Sequence, residues 1–177
     1  MTTLWHTKST ESNKRGDCYL KKLGTVQRSV NLTKTRICVD SVQNSEPIGF
    51  LYNPYMADRI AFFGYLSLIN ILDDFFDRMQ CPQAYHQYRV WQTDKNNRKL
   101  PEKEVTQFMA EDVIHSKNGE KATFTIQVQF RQNATWQGTI AWMESKKIQQ
   151  FRSALEMIKL MDNALSESGS GDDVNWE

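Results

Sequence analysis

From Phe124 to Arg131 the chain alternates: Phe124, Ile126, Val128 and Phe130 are apolar, while Thr125, Gln127, Gln129 and Arg131 are polar. A period of two is that of an antiparallel strand with one face in a core and one in solvent. Asn133 to Gly138 supplies turn residues, and Thr139–Glu144 returns with Ile140 and Trp142 on one face. Phe151, Leu155, Ile158 and Met161 or Leu165 then recur at spacings of three and four, the stripe of an amphipathic helix. The same order occurs earlier in the chain. Ile37 and Val39 point one way and Arg36, Cys38 and Asp40 the other; Asn44 to Gly49 turns; Phe50, Leu51 and Tyr52 return. Phe62, Leu66, Ile69, Leu72 or Asp73, and Phe76 stripe a helix.

The two stretches align without a gap at an offset of 89 residues. Nine of 41 pairs between Arg36–Phe76 and Thr125–Leu165 are identical, among them Val39/Val128, Asn44/Asn133, Gly49/Gly138, Phe62/Phe151, Leu66/Leu155 and Asp73/Asp162. Ordinary residue usage gives about two or three. The pattern predicts a duplicated ββα unit, about 36–79 and 124–165. Two such units related by a pseudo-two-fold axis give one antiparallel sheet with the helices packed on one face, a two-layer α+β sandwich.

The joining segment, 80–123, is too long for a structureless loop in a compact domain. Tyr85–Trp91 predicts an edge strand. Pro101, then Val105, Phe108, Met109, Val113 and Ile114, predict an extra linker helix stopped by Asn118-Gly119. Tyr19–Leu32 alternates well enough for one more strand. Residues 17–165 therefore read as a single domain, 1–16 as a flexible basic N-terminal arm and 166–177 as an acidic disordered tail. The first helix also carries Phe63, Tyr65, Leu68, Ile71 and Phe75 on its other sides, so it must be covered more than once. The linker helix, the Tyr19–Leu32 segment or a second subunit would serve. The last option makes Phe63, Tyr65, Leu68 and Phe75 the candidate interface of a homodimer.

Net charge is +1, unevenly spread: residues 1–36 carry eight Lys/Arg against Glu11 and Asp17, and 166–177 carry four acids and no base. The ordinary meaning of such runs is solvated termini. The sharper one is a nucleic-acid contact through Lys21, Lys22, Arg28, Lys34 and Arg36. The richest apolar run, Ile60–Ile71, is broken by Gly64, Ser67 and Asn70, so no membrane span is expected. The N-terminus lacks a signal-peptide pattern, and Cys18, Cys38 and Cys81 do not look like a disulfide framework. These features together predict a cytoplasmic protein.

No nucleophile elbow, phosphate loop, dinucleotide fingerprint or paired metal-ligand spacing occurs, so no catalytic residue, metal or cofactor is expected. Positions kept in both copies are explained by fold: Asn44/Asn133 as turn formers, Gly49/Gly138 as sites of positive φ, Asp73/Asp162 as surface or helix-end residues. Positions special to the second copy are where a site would lie. Arg131, Asn133 and Trp136 flank one hairpin, with Trp142 and Arg152 also unmatched in the first copy. A guanidinium beside an indole holds a planar anion or a base by bidentate bonding and stacking. The competing reading is a Trp lid over the core edge with a solvated Arg. Asn133-Ala-Thr-Trp-Gln-Gly138 also superficially matches half of the PilZ cyclic-dinucleotide motif, with Thr in the hydroxyl position and no Arg-x-x-x-Arg before it.

Phe130-Arg-Gln-Asn-Ala-Thr-Trp-Gln-Gly-Thr139, followed by Phe151-Arg152-Ser153 and Leu155-Glu-Met-Ile158, resembles a family of small bacterial, firmicute-type proteins. Its strong part covers about a quarter of the chain. The resemblance implies a small cytosolic bacterial protein and imports no activity. The expected function is a non-catalytic binding or adaptor protein acting through protein contacts. The alternative is a nucleic-acid or nucleotide binder, cyclic dinucleotides included, using the basic segment and the Arg131/Trp136 hairpin.

Overall fold

The computed structural model describes residues 32–82, 84, 106–132 and 135–169. Their order is β1 (Lys34–Gln43), β2 (Glu46–Tyr52), β3 (Ile60–Phe63), α1 (Gly64–Met79), α2 (Glu111–His115), β4 (Ala122–Gln132), β5 (Thr135–Trp142), β6 (Lys147–Phe151) and α3 (Ala154–Gly169). The six strands form one sheet in the order β3-β2-β1-β4-β5-β6, antiparallel throughout. The fold is α+β.

Strand pairings in the two halves coincide under the 89-residue offset. β1 meets β4 with Arg36 opposite Thr125. The β1–β2 ladder slips between Val39 and Ser41, and the β4–β5 ladder slips between Val128 and Phe130. Gly49 faces Phe62 as Gly138 faces Phe151. Each half nevertheless has three strands before its helix, not two. Phe62 and Phe151, expected to open the helical stripes, belong to β3 and β6 and point into the core. A strand of four or five residues abutting a helix without an intervening turn offers too few residues for its period to show.

With the helices starting later, their stripes shift. α1 buries Leu68, Leu72, Phe75 and Phe76, and α3 buries Met157, Met161 and Ala164. Both press on Ile37, Val39, Leu51, Phe124, Ile126, Val128 and Ile140 of the sheet. Leu66 and Leu155, expected in the stripes, are 74% and 61% exposed. The same shift corrects the proposed dimer face. Leu68 and Phe75 are core residues of this chain, and half-buried Tyr65 donates its hydroxyl to Asp162 Oδ1 of α3 at 3.3 Å. Only Phe63, 70% exposed, stays free for a partner.

The linker helix is also corrected. It spans five residues, Glu111–His115, and lies on the sheet face opposite α1 and α3. There Ile114 packs with Cys38 and Tyr52, with Phe50 and Met109 alongside. Upstream, the Phe108 and Met109 N–H groups donate to Pro54 O at 2.8 and 3.1 Å, so this stretch is extended. Phe108 and Val113 are exposed and form no core stripe. The return strand β2 ends at Asn53-Pro54, as its residues suggest. Buried Asn53 Nδ2 donates to the carbonyls of Leu32 and Lys34, and its Oδ1 accepts from Tyr55 N–H.

The β1–β2 turn is tight: Asn44 and Ser45, with φ of 52° and 64°, form the two-residue loop of a type I′ hairpin. Gly49 and Gly138 lie inside β2 and β5, and neither has positive φ. Their reason is room, since a Cβ would overlap the carbonyl oxygens of Cys38 and Gln127 respectively. α3 continues to Gly169, so the first residues of the expected tail are helical. The arm 1–16, the segment up to residue 31, Tyr85–Trp91 and residues 170–177 lie outside the described residues. Cys81 is buried and disulfide-bonded while Cys38 is buried and free, so the expectation of three unlinked thiols does not hold. Among the described residues no helix is long and apolar enough to cross a membrane.

Candidate functional site

Alternation along β4 assigns Arg131 to the polar face with Thr125, Gln127 and Gln129. The slip between Val128 and Phe130 adds one residue and reverses the faces beyond it. Arg131 therefore lies beside its partner Trp136 on the helix side, and both are buried, at 3% exposure each. Arg131 Nη2 meets Asp73 Oδ1 at 2.6 Å and Nη1 meets Asp77 Oδ1 at 2.7 Å. Residues 73 and 77, four apart on α1, present both carboxylates to one side. Nη1 also donates to Pro82 O at 3.4 Å. Trp136 packs edge-on against Phe76 with ring centroids 5.5 Å apart. A guanidinium engaged by two carboxylates and a carbonyl ties the end of β4 to α1. It is not presented to a ligand, and the expected exposed Arg–Trp clamp is corrected to a buried structural pair. Asp73, expected at the surface, is its main partner.

The other second-copy candidates do not join this pair. Trp142 sits at the far end of β5, opposite Phe124, half-buried with the Lys147 ammonium 5.5 Å from its ring. The Arg152 side chain is 88% exposed and reaches Glu156 at 3.6 Å. Its backbone N–H donates to Glu156 Oε2 at 2.7 Å, while Glu156 N–H donates to Ser153 Oγ at 3.0 Å. This is a capping arrangement at the start of α3, and the hydrogen bond from the Arg152 backbone holds the Glu156 carboxyl below its usual range. The Ser153-x-x-Glu156 spacing was legible as a capping signal and was missed. In the first half Glu46 serves instead, its Oε2 accepting from Tyr65 N–H at 2.8 Å. Asn133 lies outside the described residues, as do Lys21, Lys22 and Arg28.

Lys34 and Arg36 are brought together, on the face that α2 covers. They line a cleft of about 310 Å³ with Thr125 of β4, beneath Pro54, Ile114 and His115, with Glu111 at its side. Arg36 is 4% exposed. Its Nε donates to Lys117 O and its Nη2 to Asn118 Oδ1 at 2.9 Å, which fastens the segment after α2 onto the sheet. Its Nη1 is buried without an acceptor. Cys38 stands next to it on β1, its thiol raised to about 11 by burial, with the Arg36 charge acting in the opposite sense. On the helix side, burial and the Asp162 charge push the Tyr65 hydroxyl upward as well. Among the described residues no group of His, Cys, Asp and Glu could hold a metal ion.

No family model matches this chain, and no curated protein or solved structure is similar to it.

Proposed function

We propose a non-catalytic binding or adaptor protein that works through protein contacts. One observation carries this reading. Leu66 and Leu155 occupy the same position in the two halves, yet both are solvent-exposed, at 74% and 61%. A single exposed leucine needs no explanation. One kept in both halves where the core makes no use of it points to a contact outside the chain. Phe63 and Ile148, each 70% exposed on the edge strands β3 and β6, add apolar surface at both ends of the sheet. Self-association is the partner most directly measured. Sedimentation velocity on the full chain should show a larger species that Leu66→Ser/Leu155→Ser removes while thermal stability changes little. Failing that, an affinity capture from the native host should lose the same proteins with the variant. A catch that the variant leaves unchanged overturns the reading.

The nucleic-acid alternative has no comparable support, because Arg131, Trp136 and Arg36 are buried and only half-buried Lys34 is left of the described basic set. Salt-dependent oligonucleotide binding would restore it. A bacterial origin, drawn from the resemblance, belongs to the proposal. Compartment does too: a disulfide at Cys81 favours an oxidising environment over the cytoplasm. Alkylation of freshly lysed cells decides between them, since a cytoplasmic protein would show Cys81 modified.

A further inference from the structure

We infer that the cleft between α2 and the β1–β4 pair binds a small organic monocarboxylate, a site separate from the protein-contact surface. Three features point to that chemistry. First, a guanidinium buried to this degree is normally met on all its N–H faces, because an unmet charged donor is costly. Arg36 Nη1 has no acceptor, and no carboxylate pairs with Arg36 among the described residues. The Cys38 thiol beside it, kept neutral by burial, is a weak acceptor and does not replace an anion. Second, Lys34 lines the same cleft and brings a second positive charge to it. Third, the remaining walls limit the ligand. Pro54, Ile114 and the Thr125 methyl offer an apolar bed, and Glu111 at the side repels a further negative charge. One carboxylate on a compact apolar body satisfies these conditions, whereas a phosphate dianion or a dicarboxylate meets Glu111. A volume of about 310 Å³ is at the lower end of ligand pockets, which fits a molecule of this size.

Nη1 is covered, so the ligand reaches it as α2 yields. That element is five residues long and has no side-chain cap. The carboxylate oxygens would then accept from Arg36 Nη1 and Lys34 Nζ.

Benzoate is the probe. Titrated into the full, isotope-labelled chain, it should move the backbone resonances of Ile114, His115 and Thr125 and the Arg36 Nε–H signal along one saturable curve. Lys34→Met should weaken that curve about tenfold, the equivalent of one charge-assisted hydrogen bond. Inorganic phosphate at equal ionic strength should not compete. Arg36→Lys is the sharper variant, and where it loosens the α2 segment the Lys34→Met result decides. Absence of saturable shifts, shifts indifferent to Lys34→Met, or competition by phosphate each overturn the inference.

Discussion

Arg36 faces Thr125 across the central strand pair, and the two are the same position of the two halves, 89 residues apart. A residue on the pseudo-axis meets its own counterpart. Two arginines there would set like charges directly opposite each other, which destabilises a sheet. Thr125 leaves room for a single guanidinium, and that guanidinium is the one fastened to Lys117 and Asn118. The symmetry of the backbone thus forces asymmetry of the side chains at its centre, and α2 covers the sheet there.

The two acidic partners of Arg131 are expected to differ. Removing a partner from a fully buried pair costs about 3–5 kcal/mol. The Asp73 side chain is 21% exposed and that of Asp77 is 47% exposed. Asp73→Asn should therefore cost about 2 kcal/mol, and Asp77→Asn less than about 1 kcal/mol after solvent screening. Urea unfolding of both variants measures the difference; equal losses would contradict the assignment of Asp73 as the main partner.

Gly49→Ala and Gly138→Ala should be among the most damaging single substitutions. In each case the added carbon overlaps a carbonyl oxygen of the neighbouring strand, an atom that moves only with its backbone. We expect a loss of at least about 3 kcal/mol in each, the range of severe core strain. Because the clash is the same in both halves, circular dichroism melts of the two variants should fall together.

Ser45→Gly should stabilise the protein. Ser45 sits at φ 64° in the second position of a type I′ turn, where glycine has no steric penalty. The expected gain is about 0.5–1 kcal/mol, read as a raised denaturation midpoint with unchanged slope. The same change at Asn44 should bring less, because asparagine tolerates this region.

Alkali should weaken the fold through Cys38. Its thiol is raised from 9.0 to about 11, so the folded state holds the proton more tightly than the unfolded state. Stability from this group is complete below pH 9 and falls as pH rises to about 11. The loss at the end of that window is about 2–3 kcal/mol by proton linkage. Cys38→Ala should lower stability at neutral pH through lost packing but flatten its decline across that window. Parallel decline in both proteins would show that Cys38 is not the cause.

The clean alternation of β4, the return strand β5 and the existence of two long helices were legible, because each has enough residues for its period to show. The α+β class follows from them. Shorter elements were not. β3 and β6 are hidden at the head of the helical stripes, and taking Phe62 and Phe151 as helical put Leu66 and Leu155 inside when they are outside. Arg131 was misread for a different reason. Its face depends on one unpaired residue in β4, and an extra backbone residue leaves no mark in side-chain chemistry. Arg36 was noticed for its charge alone. Its burial depends on a segment some 80 residues away folding over the sheet, which local pattern does not encode.

The slip in β4 has a consequence for how this chain can change. Substitution at Arg131 deletes a charge but leaves the position facing inward. Deleting one residue between Val128 and Phe130 does something no substitution can: it restores uninterrupted pleating, so every side chain beyond that point swaps sides. Phe130 would turn toward the helices and Arg131 toward water, abandoning Asp73 and Asp77 together. At this point in the strand, a change in length would rewrite the interior more thoroughly than a change in composition.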